Sequence, residues 1–148
     1  MRVKKLIAIC LLISILVLSL VGCNPTADIE KARGLAEELI DMAIVNDFDS
    51  AYATMSDVCT EDEFRVFWEK FAKFFESTES YDLTVTNWNK TLSVGVVYTS
   101  IIFYVTKDDG KKCQLAVTTA PIYEGIAGID FYPTVTDDEV SSDTQDKF

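Results

Sequence analysis

The side chains with the most reactive chemistry in this sequence are four cysteines, Cys10, Cys23, Cys59 and Cys113. A thiol can take a lipid, close a disulfide, bind a metal or exchange electrons, and spacing tells these roles apart. No two of the four form a CxxC pair or a zinc-ligand pair, so neither thiol-redox chemistry nor a metal site is expected. There is no histidine. That removes the commonest general base, proton switch and metal ligand at once. The six glycines do not stand in the order of a phosphate-cradling loop, and no cofactor is expected. The acidic runs Glu61-Asp62-Glu63 and Asp137-Asp138-Glu139 lack the alternating ligand positions of a calcium loop.

Composition narrows the field further. The chain has 148 residues, enough for one domain with a real core, and 49% of them are apolar, which excludes a disordered protein. With 13 Lys plus Arg against 24 Asp plus Glu, its net charge of −11 repels phosphate backbones, and no nucleic acid partner is expected.

The first residues read as an address. Arg2, Lys4 and Lys5 precede Leu6 to Val21, an apolar run of 16 residues broken only by Ser14 and Ser19. The run is shorter than the roughly 20 residues of a membrane-spanning helix and has no basic stop-transfer cluster after it, the pattern of a cleaved secretory signal. It ends in Leu20-Val21-Gly22-Cys23, which resembles the lipobox of bacterial lipoproteins. The resemblance covers residues 1–23. It implies a diacylglyceryl group on the Cys23 sulfur, palmitate-type acylation, and cleavage between Gly22 and Cys23, because two acyl chains anchor durably where one does not. The expected location is the extracytoplasmic face of a bacterial cell membrane, with the membrane itself as a partner through that lipid. Removing residues 1–22 leaves 10 basic against 24 acidic side chains, and such a domain should stand off an anionic surface.

With Cys10 lost in the signal and Cys23 lipidated, Cys59 and Cys113 remain. Outside the cytoplasm they invite a disulfide, closing a loop of about 55 residues that the chain-entropy model credits with about 4 kcal/mol. Two buried thiols acting as small apolar residues are the other reading.

Periodicity then gives the elements that must position these groups. A short tether, residues 23–26, leads to a helix over about 27–45, with Ala32, Leu35, Ala36, Leu39, Ile40 and Ala43 on one face. Asn46-Asp47 is the stop, and Phe48, Ala51, Tyr52 and Met55 suggest a short second helix. Thr60-Glu61-Asp62-Glu63 has the form of a capping box, opening a helix that carries Phe64, Phe67, Trp68, Phe71, Phe74 and Phe75 on one face. From Tyr81 the period changes to two. A strand over residues 81–86, a turn over Asn87 to Thr91, a long strand from Leu92 to Val105, and a hairpin turn at Asp108-Asp109-Gly110 are expected. A strand from Lys112 to about Ala120 and a last one from Ile126 to Tyr132 complete the pattern, and the acidic stretch 134–148 reads as a disordered tail.

Helices followed by antiparallel strands make an α+β layer. Asn46-Asp47-Phe48-Asp49-Ser50-Ala51-Tyr52 after the first helix and Gly128-Ile129-Asp130-Phe131-Tyr132-Pro133 at the end of the last strand, in this order of elements, resemble the NTF2-like superfamily over residues 27–133. More narrowly the chain is similar to small bacterial lipoproteins of unknown function carrying such a domain. The resemblance implies a cone of helices packed on a curved antiparallel sheet, its interior open or filled. Enzymes of the superfamily use an Asp base with a Tyr or Asp donor, or a His/Asp pair. The second set is excluded here, and the first would need Asp130 with Tyr52, Tyr98, Tyr104 or Tyr132.

Three readings follow. The favoured one is a non-enzymatic, lipid-anchored module of the cell envelope that binds a protein or a small molecule. The alternative is a small cone enzyme, an isomerase or lyase moving a proton through Asp130 and a Tyr, although strand alternation places Asp130 on the solvent side. A third is a structural subunit of an envelope complex, docking through its aromatic surface or the long strand's edge.

Overall fold

A computed structural model describes residues 25–55 and 58–134. The signal segment, Cys10, Cys23 and the acidic stretch after residue 134 lie outside these residues. The chain divides into residues 1–31 and a larger unit, residues 32–148.

Among the described residues three helices precede four strands. Helix α1 spans Pro25–Ile44, α2 spans Phe48–Ala53 and α3 spans Glu61–Phe75. Strands β1 (Tyr81–Ser93), β2 (Val96–Lys107), β3 (Lys112–Thr119) and β4 (Gly128–Pro133) form one antiparallel sheet in the order β1-β2-β3-β4. This is an α+β fold with its helices N-terminal to a four-stranded meander.

Local chemistry sets the boundaries. Helix α1 begins two positions before the periodic pattern, with Pro25 first, where a missing N–H costs nothing and the fixed φ is already helical. Its buried stripe is Ala32, Ala36, Leu39, Ile40 and Ala43. Asn46, at φ 55°, takes the left-handed turn that ends it. At α3 the expected capping box is formed. The Thr60 hydroxyl accepts from the Glu63 amide at 3.3 Å, and the Glu63 carboxylate accepts from the Thr60 amide at 2.9 Å.

The core is aromatic. Of the six rings on the α3 stripe, Phe64, Trp68, Phe71 and Phe75 are buried, while Phe67 and Phe74 are half-buried. Phe71 meets Phe131 of β4 edge to face at 5.3 Å between centroids, and Phe74 meets the same ring at 5.4 Å. On the sheet, Val105 and Cys113, Phe103 and Leu115, and Ile101 and Val117 are paired across β2 and β3, and all six are fully buried. Alternation sends Ile102, Tyr104, Gln114, Ala116, Asp130 and Tyr132 to the other face.

The first hairpin departs from expectation. Asn87 to Thr91 is not a turn. These residues continue β1 past a bulge between Val85 and Asn87, and the chain reverses only at Val94-Gly95, closed by the Ser93 and Val96 pair. Asn carries turn preference, but a two-residue type I′ hairpin loop needs positive φ at both central positions. Val94 (φ 50°) and Gly95 (φ 78°) adopt it. The last strand is also shorter than the pattern suggests. Ile126 instead donates its amide to the Thr54 carbonyl at 2.7 Å, which holds the β3–β4 connection to the end of α2.

Candidate functional site

Asp130 lies in the middle of β4, opposite Ala116, and its side chain is exposed on the sheet face away from the core. Tyr132, two residues on, shares that face, and across the sheet Tyr132 pairs with Gln114, which pairs in turn with Tyr104. The fold therefore gathers Asp130, Tyr104 and Tyr132 on one surface. Tyr98 is on the same face but farther along β2, opposite Thr91. Tyr52 is elsewhere. It sits on α2, stacked on Phe48 and tilted against Phe64, and donates its hydroxyl to the Cys59 carbonyl at 3.3 Å.

Proton transfer to or from carbon is efficient where water is excluded from the acid and base. The Asp130 surface is open, and under the sheet's other face Phe71 packs against Phe75 and against Phe131 of β4, rings that cannot move a proton.

Cys59 and Cys113 are both free thiols in this structure. Cys113 is fully buried on β3 between Val105 and Pro133, and burial pushes its thiol up to about 12, with Lys107 pulling weakly the other way. Cys59 is half-buried just before α3, and its thiol is raised by burial first and by the Glu63 carboxylate second. A raised pKa makes each a poor nucleophile. The residues of Glu61-Asp62-Glu63 are used structurally. Glu61 pairs with Arg65 one turn on, and Glu63 closes the capping box. Among the described residues no cluster of three or more Cys, Asp or Glu is placed to hold a metal ion.

Two features were not visible in the sequence. One is a cleft of about 300 Å³ where the end of α1 meets α3, lined by Ala43, Ile44, Asn46, Trp68, Lys73 and Glu76. It lies just past the end of α1, where the Asn46 amide oxygen accepts from the Trp68 indole at 3.2 Å. The other is the reach of the β1–β2 hairpin. β3 pairs with β2 only from Thr99 onward, so the pairs Thr91–Tyr98, Leu92–Val97 and Ser93–Val96 continue beyond the sheet as a two-stranded ribbon. Leu92 (70% exposed), Val94 (100%) and Val97 (41%) are apolar residues on it facing water, with Trp88 nearer its base at 44%.

No described helix is long and apolar enough to cross a membrane. A scan of protein-family models and a search of curated proteins find no match to this chain.

Proposed function

We propose that this chain is a lipid-anchored, extracytoplasmic module of a bacterial cell envelope, an NTF2-like domain that binds a protein or small ligand without catalysing a reaction. The observation that carries the non-catalytic half is the filled interior. Phe71 and Phe75 are fully buried, and Phe71 meets Phe131 of β4 edge to face, which supports an interior packed with rings rather than open to a substrate. Asp130, the candidate base, projects from the opposite face into solvent.

The anchoring half is supported by the basic start, the apolar run and Leu20-Val21-Gly22-Cys23. A Cys23→Ser chain cannot take the lipid on sulfur. The reading expects the unaltered chain in the membrane fraction after cell lysis, and the Cys23→Ser chain either released or retained with its signal uncut. Identical fractionation and identical processing of both would refute it.

The runner-up, a proton-transferring isomerase or lyase, has in its favour that Asp130, Tyr104 and Tyr132 share one face. Its test is Asp130→Asn in any assay where the purified chain shows turnover. Unchanged activity removes Asp130 from the reaction.

A further inference from the structure

We infer that the tip of the β1–β2 hairpin is a second membrane contact, inserting Leu92, Val94 and Val97 into the interfacial layer of a lipid bilayer. The inference deepens the lipid-anchored reading and names the surface that faces the membrane.

Charge makes the first observation. No Asp or Glu occurs between Asp82 and Asp108, a stretch of 25 residues, in a chain with 24 acids among 148. The only ionisable charges in it are Lys90 and Lys107. The rest of the domain is repelled by anionic headgroups, and this ribbon is not. Its order of residues also suits an interface. The tip carries Leu92, Val94 and Val97, Lys90 comes next on the face shared by Leu92 and Val97, and Trp88 follows on that same face. Each step of two residues is about 7 Å. An apolar tip sunk about 5–10 Å places a lysine at the headgroups and a tryptophan just outside them.

Backbone strain makes the second. Val94 holds φ 50° at full exposure, where a β-branched side chain is disfavoured and Asn, Asp or Gly is ordinary. A valine there gains nothing from the folded domain, and strained residues of this kind cluster where they touch a ligand.

Direction makes the third. The Tyr81 hydroxyl donates to Asp41, whereas the Arg33 guanidinium donates to the Leu83 carbonyl and lies over the Phe103 ring. Moving from Asp41 back to Arg33 along α1 therefore parallels moving from Tyr81 to Leu83 along β1, which is the direction the hairpin continues. The larger unit is entered from the hairpin's end. Only eight residues separate Cys23 from Ala32, so a lipid on Cys23 would hold that end within about 30 Å of the bilayer even if the segment were extended.

The test uses the full-length chain reconstituted into phosphatidylcholine vesicles, with and without phosphatidylglycerol, containing lipids that carry a nitroxide on the headgroup. A headgroup nitroxide quenches an indole only at short range, and Trp68 is buried in the domain while Trp88 is on the ribbon. The inference expects quenching in both vesicle types that Trp88→Phe abolishes and Leu92→Ser with Val97→Ser reduces about tenfold, with unchanged thermal melting of the double variant. Unquenched Trp88 on vesicles that still carry the protein overturns it while leaving the anchor intact. Quenching confined to phosphatidylglycerol vesicles and indifferent to the double variant overturns it in favour of docking through Lys90. An unquenched dimer that the double variant dissociates overturns it in favour of a second copy. Acylation of Cys23 is read separately from the protein's mass, so failure of the anchor and failure of the hairpin are told apart.

Discussion

The Lys107 ammonium lies 2.7 Å from the carbonyl oxygen of Phe74, in the last turn of α3, and joins the end of the helix to the end of β2. The side chain is only 3% exposed, and its charge is balanced by Asp109 at 3.3 Å and by the face of the Phe74 ring. Helix-terminal carbonyls have no partner within the helix, and a cation there also meets the negative end of the helix dipole.

Lys107→Met keeps the apolar stem and removes the donor, leaving the Phe74 carbonyl without it. The expected loss is about 1–3 kcal/mol in urea unfolding. Asp109→Asn alters only the half-exposed member of the pair and should cost less than Lys107→Met. Equal costs would show that the ion pair, not the helix cap, is what stabilises.

Thr60→Ala removes the side-chain acceptor of the capping box. It should cost about 1 kcal/mol, read from the midpoint of thermal unfolding. The box also gives acid sensitivity. Hydrogen bonds from the Thr60 amide and hydroxyl hold the Glu63 carboxyl below its ordinary 4.5. A depressed folded pKa means stability that is present above pH 4.5 and is lost as pH falls through the folded value. Melting temperature should therefore drop on acidification below that point, and drop less in Thr60→Ala.

At alkaline pH the sign reverses. Burial raises Cys113 from 9.0 to about 12, and burial together with the hydrogen bond to Asp41 raises Tyr81 above its ordinary 10.0. The folded state holds both protons after the unfolded chain has released them, so stability falls as pH rises from about 9. Cys113→Ala should flatten the decline between pH 9 and pH 10, and Tyr81→Phe the decline above pH 10. Parallel curves for wild type and both variants would contradict these assignments.

Val94→Gly relieves a positive φ that valine tolerates poorly. It should stabilise the domain by about 1 kcal/mol while weakening the vesicle contact, a separation that a residue serving only the fold would not show.

Much of this architecture could be read from residue order. The α3 stripe and its capping box are strong local signals, since Thr60 and Glu63 act on each other across one turn and every third or fourth residue is aromatic. Alternation alone placed Asp130 on the open face. The hairpin was harder to read because its turn carries a valine where turn chemistry asks for Asn or Gly, while Asn87 and Asn89 lie inside a strand. Lys107 was missed for a related reason. A lysine signals solvent, and only the arrival of the α3 terminus beside it in the folded chain makes burial favourable. The cleft beside Trp68 depends on where two helices meet, which no local pattern records.

Attachment of the domain to the membrane by its first mature residue is read from the intact mass of the protein extracted from bacterial membranes. The expected species is a chain lacking residues 1–22 whose N-terminal tryptic peptide carries a diacylglyceryl group on Cys23. A chain that retains residues 1–22, or that begins at another residue with Cys23 unmodified, would contradict it.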